Sequence, residues 1–514
     1  MTVETCQKDD PGPVASVRAE LPWWRDPKLR RLNFCLISLT LFSSSNGFDG
    51  SLVNGLQSLD SWLEFMQMPS STWLGFINAI YAAGAIFSSM AAGWACNQFG
   101  RKPTIWMGVL ILAVGSLLGA FAPNDTVFIV SRVLIGLGSG CVSVPGPLLL
   151  GEIAYPAHRS VTSALFMVGY YGGSVVASWV TFATRTYSSS WSWRLPTLLQ
   201  ILLPVAAIPG FIMTPESPRW LIGTGRVEEA REKLALLHAG GDITAPLITS
   251  EVTEIHAAIT AEKEASSSSS YMDMVKTPGN RHRLLITVTL GIFAQWSGNG
   301  VVSYYLALVL DSVGISKTKD QLLISACLQI WNLIFAAVGA TLVERAGRRA
   351  LFLTSAGIML VGYITITGLS GSFATTGSVP IGTAVIPFIF IFFAGYDIAL
   401  SPLLTAYPCE IWPFALRSRG LSVVWISTTC ALIFNTFVNP IALDAIGWKY
   451  YFVFVAVLAC YAFTSYFFYP ETKGYSLEHM ALIFDGEAAA VGRNHDKLEI
   501  KDQMEGDAVE IERV

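Results

Sequence analysis

The sequence predicts an all-α membrane protein with twelve transmembrane helices arranged as two six-helix halves. Three observations predict it. Of 514 residues, 52% are hydrophobic and 14% charged, whereas soluble domains carry about 25% charged residues; mean hydropathy is +0.51. Apolar runs of about 20 residues, the length that crosses roughly 30 Å of hydrocarbon, recur twelve times along the chain. Short motifs at the ends of those runs recur in the same order in both halves.

Taken in order, residues 1–31 are polar and charged and read as a cytoplasmic tail, with no cleavable signal peptide before the first run. The N-terminal half, 32–213, holds runs at 32–55, 72–96, 103–122, 126–150, 161–184 and 193–213. A linker, 214–283, follows. Within it "RVEEAREKLALLHAGG" predicts a cytoplasmic surface helix, and the serines from Ser266 to Ser270 predict a flexible connection. The C-terminal half, 284–474, holds runs at 284–312, 321–343, 350–370, 382–407, 420–442 and 450–469. The tail, 475–514, has ten Asp/Glu against four Lys/Arg and is expected to be disordered in the cytoplasm.

Basic residues set the expected orientation. With the first tail in the cytoplasm, the loops on its side hold Arg101, Lys102, Arg159, eight Lys/Arg between 214 and 283, Arg345, Arg348, Arg349, Arg417 and Arg419. The opposite loops carry few. This is the positive-inside pattern, with both termini cytoplasmic. Five of the eight Cys lie inside runs, which favours thiols packed as small apolar groups over disulfides. The six His show no metal-ligand spacing, no Gly-Lys-Ser/Thr phosphate loop is present, and no nucleophile–base set suggests an enzyme. No cofactor or nucleic acid is implied. Asn124-Asp125-Thr126 is a glycosylation sequon in a loop too short to be reached.

The repeat is specific as an ordered set. "FGRKP" after the second run matches "AGRRA" after the eighth. "EIAYPAHR" places Glu152 seven residues before Arg159, and "EIWPFALR" places Glu410 seven before Arg417. "PESPRW" after the sixth run matches "PETKG" after the twelfth. Arginines stay charged and pair bidentately with carboxylates. Glu152 and Glu410 are therefore expected to clamp Arg348 and Arg101 in one conformation and release them in another. The plainer alternative is that these residues serve topology and solubility only; acids at a membrane edge are not needed for topology, which favours the clamp.

One charge stands out. Between Leu32 and Leu59 the only charged residue is Asp49, in "FSSSNGFDGSLVNG". A charge at the membrane midplane costs about 2.5–3.5 kcal/mol on insertion scales and usually marks an ion pathway. Its serine, asparagine and glycine neighbours suggest a loosened, water-lined helix face. Asp49 either carries a proton or makes a structural bond to a helix terminus or to Arg132. Asp397, midway along the tenth run, is a second candidate; it binds sugar hydroxyls, accepts a proton or balances a buried base.

The motif set "GRKP", "ERAGRR" with Glu344, "SRVLIGLGSG" with Arg132, "WSWRLPTLLQ", "PESPRWL" and "PETKG" resembles the sugar porters of the major facilitator superfamily over residues 35 to 480. "QWSGNGVVSYY" and "NTFVNPIALDAIGWKYY" resemble the fungal lactose-permease and cellodextrin branch. The resemblance implies the major facilitator fold, a sugar passing through a central cavity by alternating access, and an Asp at the position of Asp49 that carries the coupled proton. It implies substrate contacts at Gln295, Tyr304, Tyr305 and Asn332, with Asn299 one place early. Departures at the site are Ala294 for a glutamine, Met167 near another and Thr405 for a tryptophan; losing these contacts and one bulky wall favours a disaccharide over glucose. In the first arginine loop Asn97 replaces an aspartate, which weakens the first-half clamp, while Glu344 keeps the charge in the second half. Amides offer donors and acceptors and aromatic faces cover sugar rings, so Gln295, Asn299, Asn332, Tyr304, Tyr305 and Trp179 have suitable chemistry. The alternatives are interhelical hydrogen bonding for the amides and packing or interfacial anchoring for Trp179. The expectation is a proton-coupled sugar symporter of the plasma membrane, with a facilitative porter for another sugar or polyol, or a transporter-like sugar sensor, as rivals.

Overall fold

A computed structural model describes residues 29–156, 159–268, 270–473, 480 and 483–485. They are nearly all helical, with no strand among them. In the first half the main helices are α1 (Arg30–Leu56), α2 (Ser71–Phe99), α3 (Arg101–Ala120), α4 (Asp125–Ser143), α5 (Arg159–Thr184) and α6 (Leu202–Met213). In the second they are α7 (Pro278–Trp296), α8 (Asn299–Asp311), α9 (Thr318–Ala346), α10 (Arg348–Thr376), α11 (Val385–Ile411), α12 (Phe414–Ile446) and α13 (Tyr451–Phe468).

Ten stretches among the described residues are long and apolar enough to cross a membrane. They differ from the twelve runs in two places. α1 is a continuous helix of 27 residues, about 40 Å at 1.5 Å per residue, but its Ser43–Asn46 run and Asp49 make it too polar to be counted. The final stretch, 415–468, is 54 residues long, roughly 80 Å if straight. Gly447, at φ +54°, divides it into α12 and α13.

Local chemistry sets helix ends. Ser70, Asn124 and Thr277 each accept an N–H from three residues on, capping α2, α4 and α7. The amide of the sequon is thus engaged as a cap. Gly100 and Gly347, at φ +100° and +89°, turn α2 into α3 and α9 into α10, a backbone region other residues rarely enter.

The duplication is visible in the packing. α1 packs on α5, α2 on α4 and α3 on α4; in the second half α7 packs on α12, α9 on α11 and α10 on α11. Between halves α2 packs on α12, α5 on α9 and α1 on α8. Glycines set the closest approach: a Cβ on Gly47 would run into the Tyr170 carbonyl, and one on Gly173 into the Ser44 carbonyl. The glycines of α1 therefore seat it against α5, backbone to backbone, and do not loosen it.

The linker departs from expectation too. Leu234, Ala235, Leu237 and His238 are buried, and Leu234 and Ala235 share a small core with Leu221, Ile222, Ile248 and Val252. The helix Pro246–Ser268 runs through three of the five serines. Of the thiols, Cys35, Cys96 and Cys141 are buried, while Cys327, Cys430 and Cys460 are exposed on the helical surface. Cys6 and nearly all of the acidic tail lie outside the described residues.

Candidate functional site

The helix that carries most of the expected amide and tyrosine positions is broken. Between α7 and α8, Gly298 has φ +100° and its carbonyl accepts the Tyr363 hydroxyl at 2.8 Å. A side chain there would collide with the Tyr363 ring. The break leaves Gln295 at the end of α7 and Asn299 at the start of α8, on either side of irregular backbone.

Gln295 and Asn332 share a property. The side-chain oxygen of each is buried and accepts no hydrogen bond from the described residues, a state that costs about 1–3 kcal/mol per group. The other positions are engaged. Asn299 Oδ1 accepts from Ser303 at 2.7 Å. Tyr304 gives its carbonyl to Gln57 Nε2 at 3.0 Å. Tyr305 is fully buried, accepts from Asn78 Nδ2 at 3.1 Å and donates to the Thr436 carbonyl. Its hydroxyl thus joins α2 and α12 and is not offered to a ligand in this conformation. Trp179 is partly exposed and meets Phe182 edge-on; among the described residues no hydrogen bond or ring contact links it to the amides. Ala294 is fully buried, while its carbonyl accepts the Tyr396 hydroxyl at 3.0 Å.

Asp49 has no exposed surface, and neither of its oxygens has a hydrogen-bond partner among the described residues. A water-lined face was expected; Asp49 is instead fully buried, with Arg132 of α4 and Tyr81 of α2 among the groups that act on it. The bond to a helix terminus or to Arg132 is likewise not formed. Arg132 acts on Asp49 through space only, and its guanidinium lies over the Tyr81 ring, 4.6 Å from the centroid. Around them, Tyr81 and Ser139 hydroxyls lie 3.1 Å apart, Ser139 donates to Asn46 Oδ1 at 2.7 Å, and Asn46 donates to Ser143 at 2.9 Å.

Asp397 is also fully buried, but its surroundings differ. Tyr171 donates to its Oδ1 at 2.6 Å and Ser401 at 3.3 Å. No cation pairs with it among the described residues, so balancing a buried base is not its role here.

The arginine clamps form, with different partners from those expected. Arg101 makes a fork with Glu152 at 3.0 and 3.1 Å, and Arg348 with Glu410 at 2.8–3.2 Å. Each pair stays within its own half, because the turn bearing the arginine packs beside the helix end bearing the acid. A second acid completes each corner. Glu216 accepts the backbone N–H of Arg101 and of Lys102; Glu471 accepts those of Arg348 and Arg349. Asn97, in place of an acid, lends its carbonyl to Trp220. Arg417 is half-buried near Cys409; the side chains of Arg159 and Glu344 lie outside the described ones.

Sequence reasoning missed the polar residues that tie the halves together. At the end remote from the arginine turns, Asn54 accepts the Leu306 N–H at 3.0 Å, joining Gln57–Tyr304 and Asn78–Tyr305. The only available signal was an amide in an apolar run, and the first run holds three, Asn33, Asn46 and Asn54, with nothing to single out the last. Tyr170 and Tyr171 were also missed; "GYYGG" is a polar pair flanked by three glycines.

A duplicated helical bundle with paired corners, buried carboxylates and an orphan amide at a helix break fits a membrane transporter. Residues 35–484 match the family described as Sugar (and other) transporter, and the chain belongs to that family. The MFS-type transporter oryC of Aspergillus oryzae is 29% identical over 466 residues, covering 89% of this chain and 85% of the relative. The MFS glucose transporter mfs1 of Aspergillus flavus is 26% identical, with 93% of each covered. Among solved structures, the inward open xylose transporter XylE from E. coli superposes with a TM-score of 0.71 at 22% identity, over 87% of this chain and 99% of that one; at that identity the likeness establishes the fold.

Proposed function

We propose that the protein is a proton-coupled sugar symporter that moves a disaccharide such as lactose or cellobiose by alternating access. The observation that carries the coupling is Asp49, which is fully buried, has no hydrogen-bond partner among the described residues and is acted on by Arg132 through space only. A carboxyl so placed is least costly when neutral, so a proton enters with the state that buries it and leaves when the site opens. The solved proton:xylose symporter XylE shares the fold; the coupling itself rests on Asp49.

The sugar sits beside the break between α7 and α8. Gln295 and Asn332 supply acceptors to its hydroxyls, Asn299 and Tyr304 line the approach, and Trp179 is the candidate for a ring-covering face. Thr405 in place of a bulkier wall, and Met167 in place of an amide that would hold a hexose, favour a larger ligand than glucose. That is also the reading of the fungal lactose-permease and cellodextrin-like motifs. The chain crosses the plasma membrane twelve times, in halves 32–213 and 284–474, with both termini cytoplasmic. In that orientation the end tied by Asn54, Gln57 and Asn78 is external, and the conformation described is closed to the outside.

The test is uptake of labelled lactose, cellobiose and glucose by transport-null cells expressing the chain, with external pH recorded. Disaccharide-driven alkalinisation that disappears in Asp49→Asn supports the reading. Full uptake without proton movement makes the protein a facilitator. No flux for any sugar, with a sugar-dependent cellular response, makes it a sensor.

A further inference from the structure

We infer that Tyr171 and Asp397 form a hydrogen-bonded latch between the two halves, a positioning pair that holds this conformer and opens in the other. The inference rests on the alternating-access reading above and adds a part to it. Tyr171 belongs to α5 of the first half; Asp397 and Ser401 belong to α11 of the second. The Tyr171 hydroxyl donates to Asp397 Oδ1 at 2.6 Å and lies 2.6 Å from Ser401 Oγ, which itself reaches Asp397 at 3.3 Å.

Three features make this more than a chance polar contact. The first is its place. α5 packs on α9, and α9 on α11; a Cβ on Gly339 of α9 would lie 2.6 Å from the Asp397 carbonyl. Glycine at 339 therefore brings α11 close enough for Tyr171 to reach past α9. The second is the lack of substitutes. Asp397 has no exposed surface, its Oδ2 has no donor, and no Lys, Arg or His pairs with it among the described residues. Ser401 and Tyr396 on its own helix, and Tyr171 from the other half, are the groups that face it. The third is the geometry. A hydroxyl–carboxyl separation of 2.6 Å lies at the short end of the O–H···O range.

If the halves separate here, Asp397 loses its one donor from the first half while remaining largely desolvated. That loss penalises the open conformer, so the bond biases the equilibrium between states. A sugar hydroxyl that replaces the Tyr171 hydroxyl removes the penalty, which makes the latch responsive to occupancy.

The test reads conformation without reading transport. Spin labels at the exposed positions Ser188 and Thr375, one in each half at the end remote from the arginine turns, report the separation of the halves in purified full-length protein, in a background lacking the exposed cysteines. Tyr171→Phe is expected to shift the ratio of closed to open populations by about fivefold to tenfold toward open. Asp397→Ala is expected to shift it similarly, and the double variant no further than either alone. Asp397→Glu restores the distribution; if Asp397→Ala does not fold, Asp397→Asn, which keeps an acceptor, gives a smaller shift that Tyr171→Phe again does not add to. An unchanged distribution in Tyr171→Phe, or shifts that add in the double variant, overturns the latch. A wild-type distribution that ignores every sugar overturns the alternating-access reading instead, so the two failures are distinguishable.

Discussion

Gly347 shows how much a single residue determines. It holds φ +89° at the turn between α9 and α10, and a Cβ there would lie 2.8 Å from Glu471 Oε2. Gly347→Ala thus combines backbone strain with a clash against the acid that organises the corner. It is expected to cost more than about 1 kcal/mol and to lower the melting temperature of purified protein, whereas Gly357→Ala, which meets open space, is not. Glu471 adds a pH dependence. Burial raises its pKa, but the N–H groups of Lys473, Arg348, Arg349 and Thr472 outweigh this and hold the carboxyl below its ordinary 4.5. A carboxyl depressed on folding contributes stability that is fully present above its unfolded value and is lost as pH falls through the folded one. Acid titration of thermal stability should therefore show a loss below about pH 4.5 that is blunted in Glu471→Gln; identical acid limbs would refute the assignment. At this scale legibility followed chemical contrast. Asp49 was readable because a charge is rare in an apolar run. Tyr171 and Tyr81 were not, because a tyrosine in a membrane helix has the same sequence signature whether it anchors, packs or latches.

Among the elements, the linker changed most between sequence and structure. The spacing in "RVEEAREKLALLHAGG" is enough to predict the helix Val227–His238, but not which face is buried. His238 decides that. Its ring nitrogens lie 2.8 Å from Glu251 Oε2 and 3.0 Å from the Ile153 carbonyl, and the ring meets Tyr155 edge-on. Ile153 adjoins Glu152, so this buried joint fixes the linker to the helix end that holds Arg101. His238→Ala leaves a buried carboxylate and a carbonyl without partners, at about 1–3 kcal/mol. Faster hydrogen exchange across 227–268 is the expected result, with Gln, which keeps one donor, intermediate; unchanged exchange would contradict the joint. The helix break at Gly298 was half-legible: glycine and serine marked it, but the Tyr363 ring that requires it lies in another run.

For the molecule as a whole, the ordered motifs revealed the duplication but could not assign the ion pairs. Symmetry makes Arg101–Glu152 and Arg101–Glu410 look equivalent in sequence. Packing separates them, since each arginine turn lies beside the acid of its own half. Among the described residues, the polar contacts between halves come mostly from neutral amides and tyrosines, which have no periodic signature. The architecture thus divides its polar contacts: charged corners lie within each half, and neutral hydrogen bonds join the halves. Asp49 and Asp397 are the exceptions, buried carboxylates where the halves or their helices meet. The central claim is that Asp49 carries the proton that drives sugar entry. Its most direct test is simultaneous recording of labelled disaccharide uptake and external pH in transport-null cells expressing wild type or Asp49→Asn. The account predicts sugar-induced alkalinisation in wild type that is abolished in the variant, with uphill accumulation lost. Uphill uptake and proton movement that survive in Asp49→Asn would contradict it.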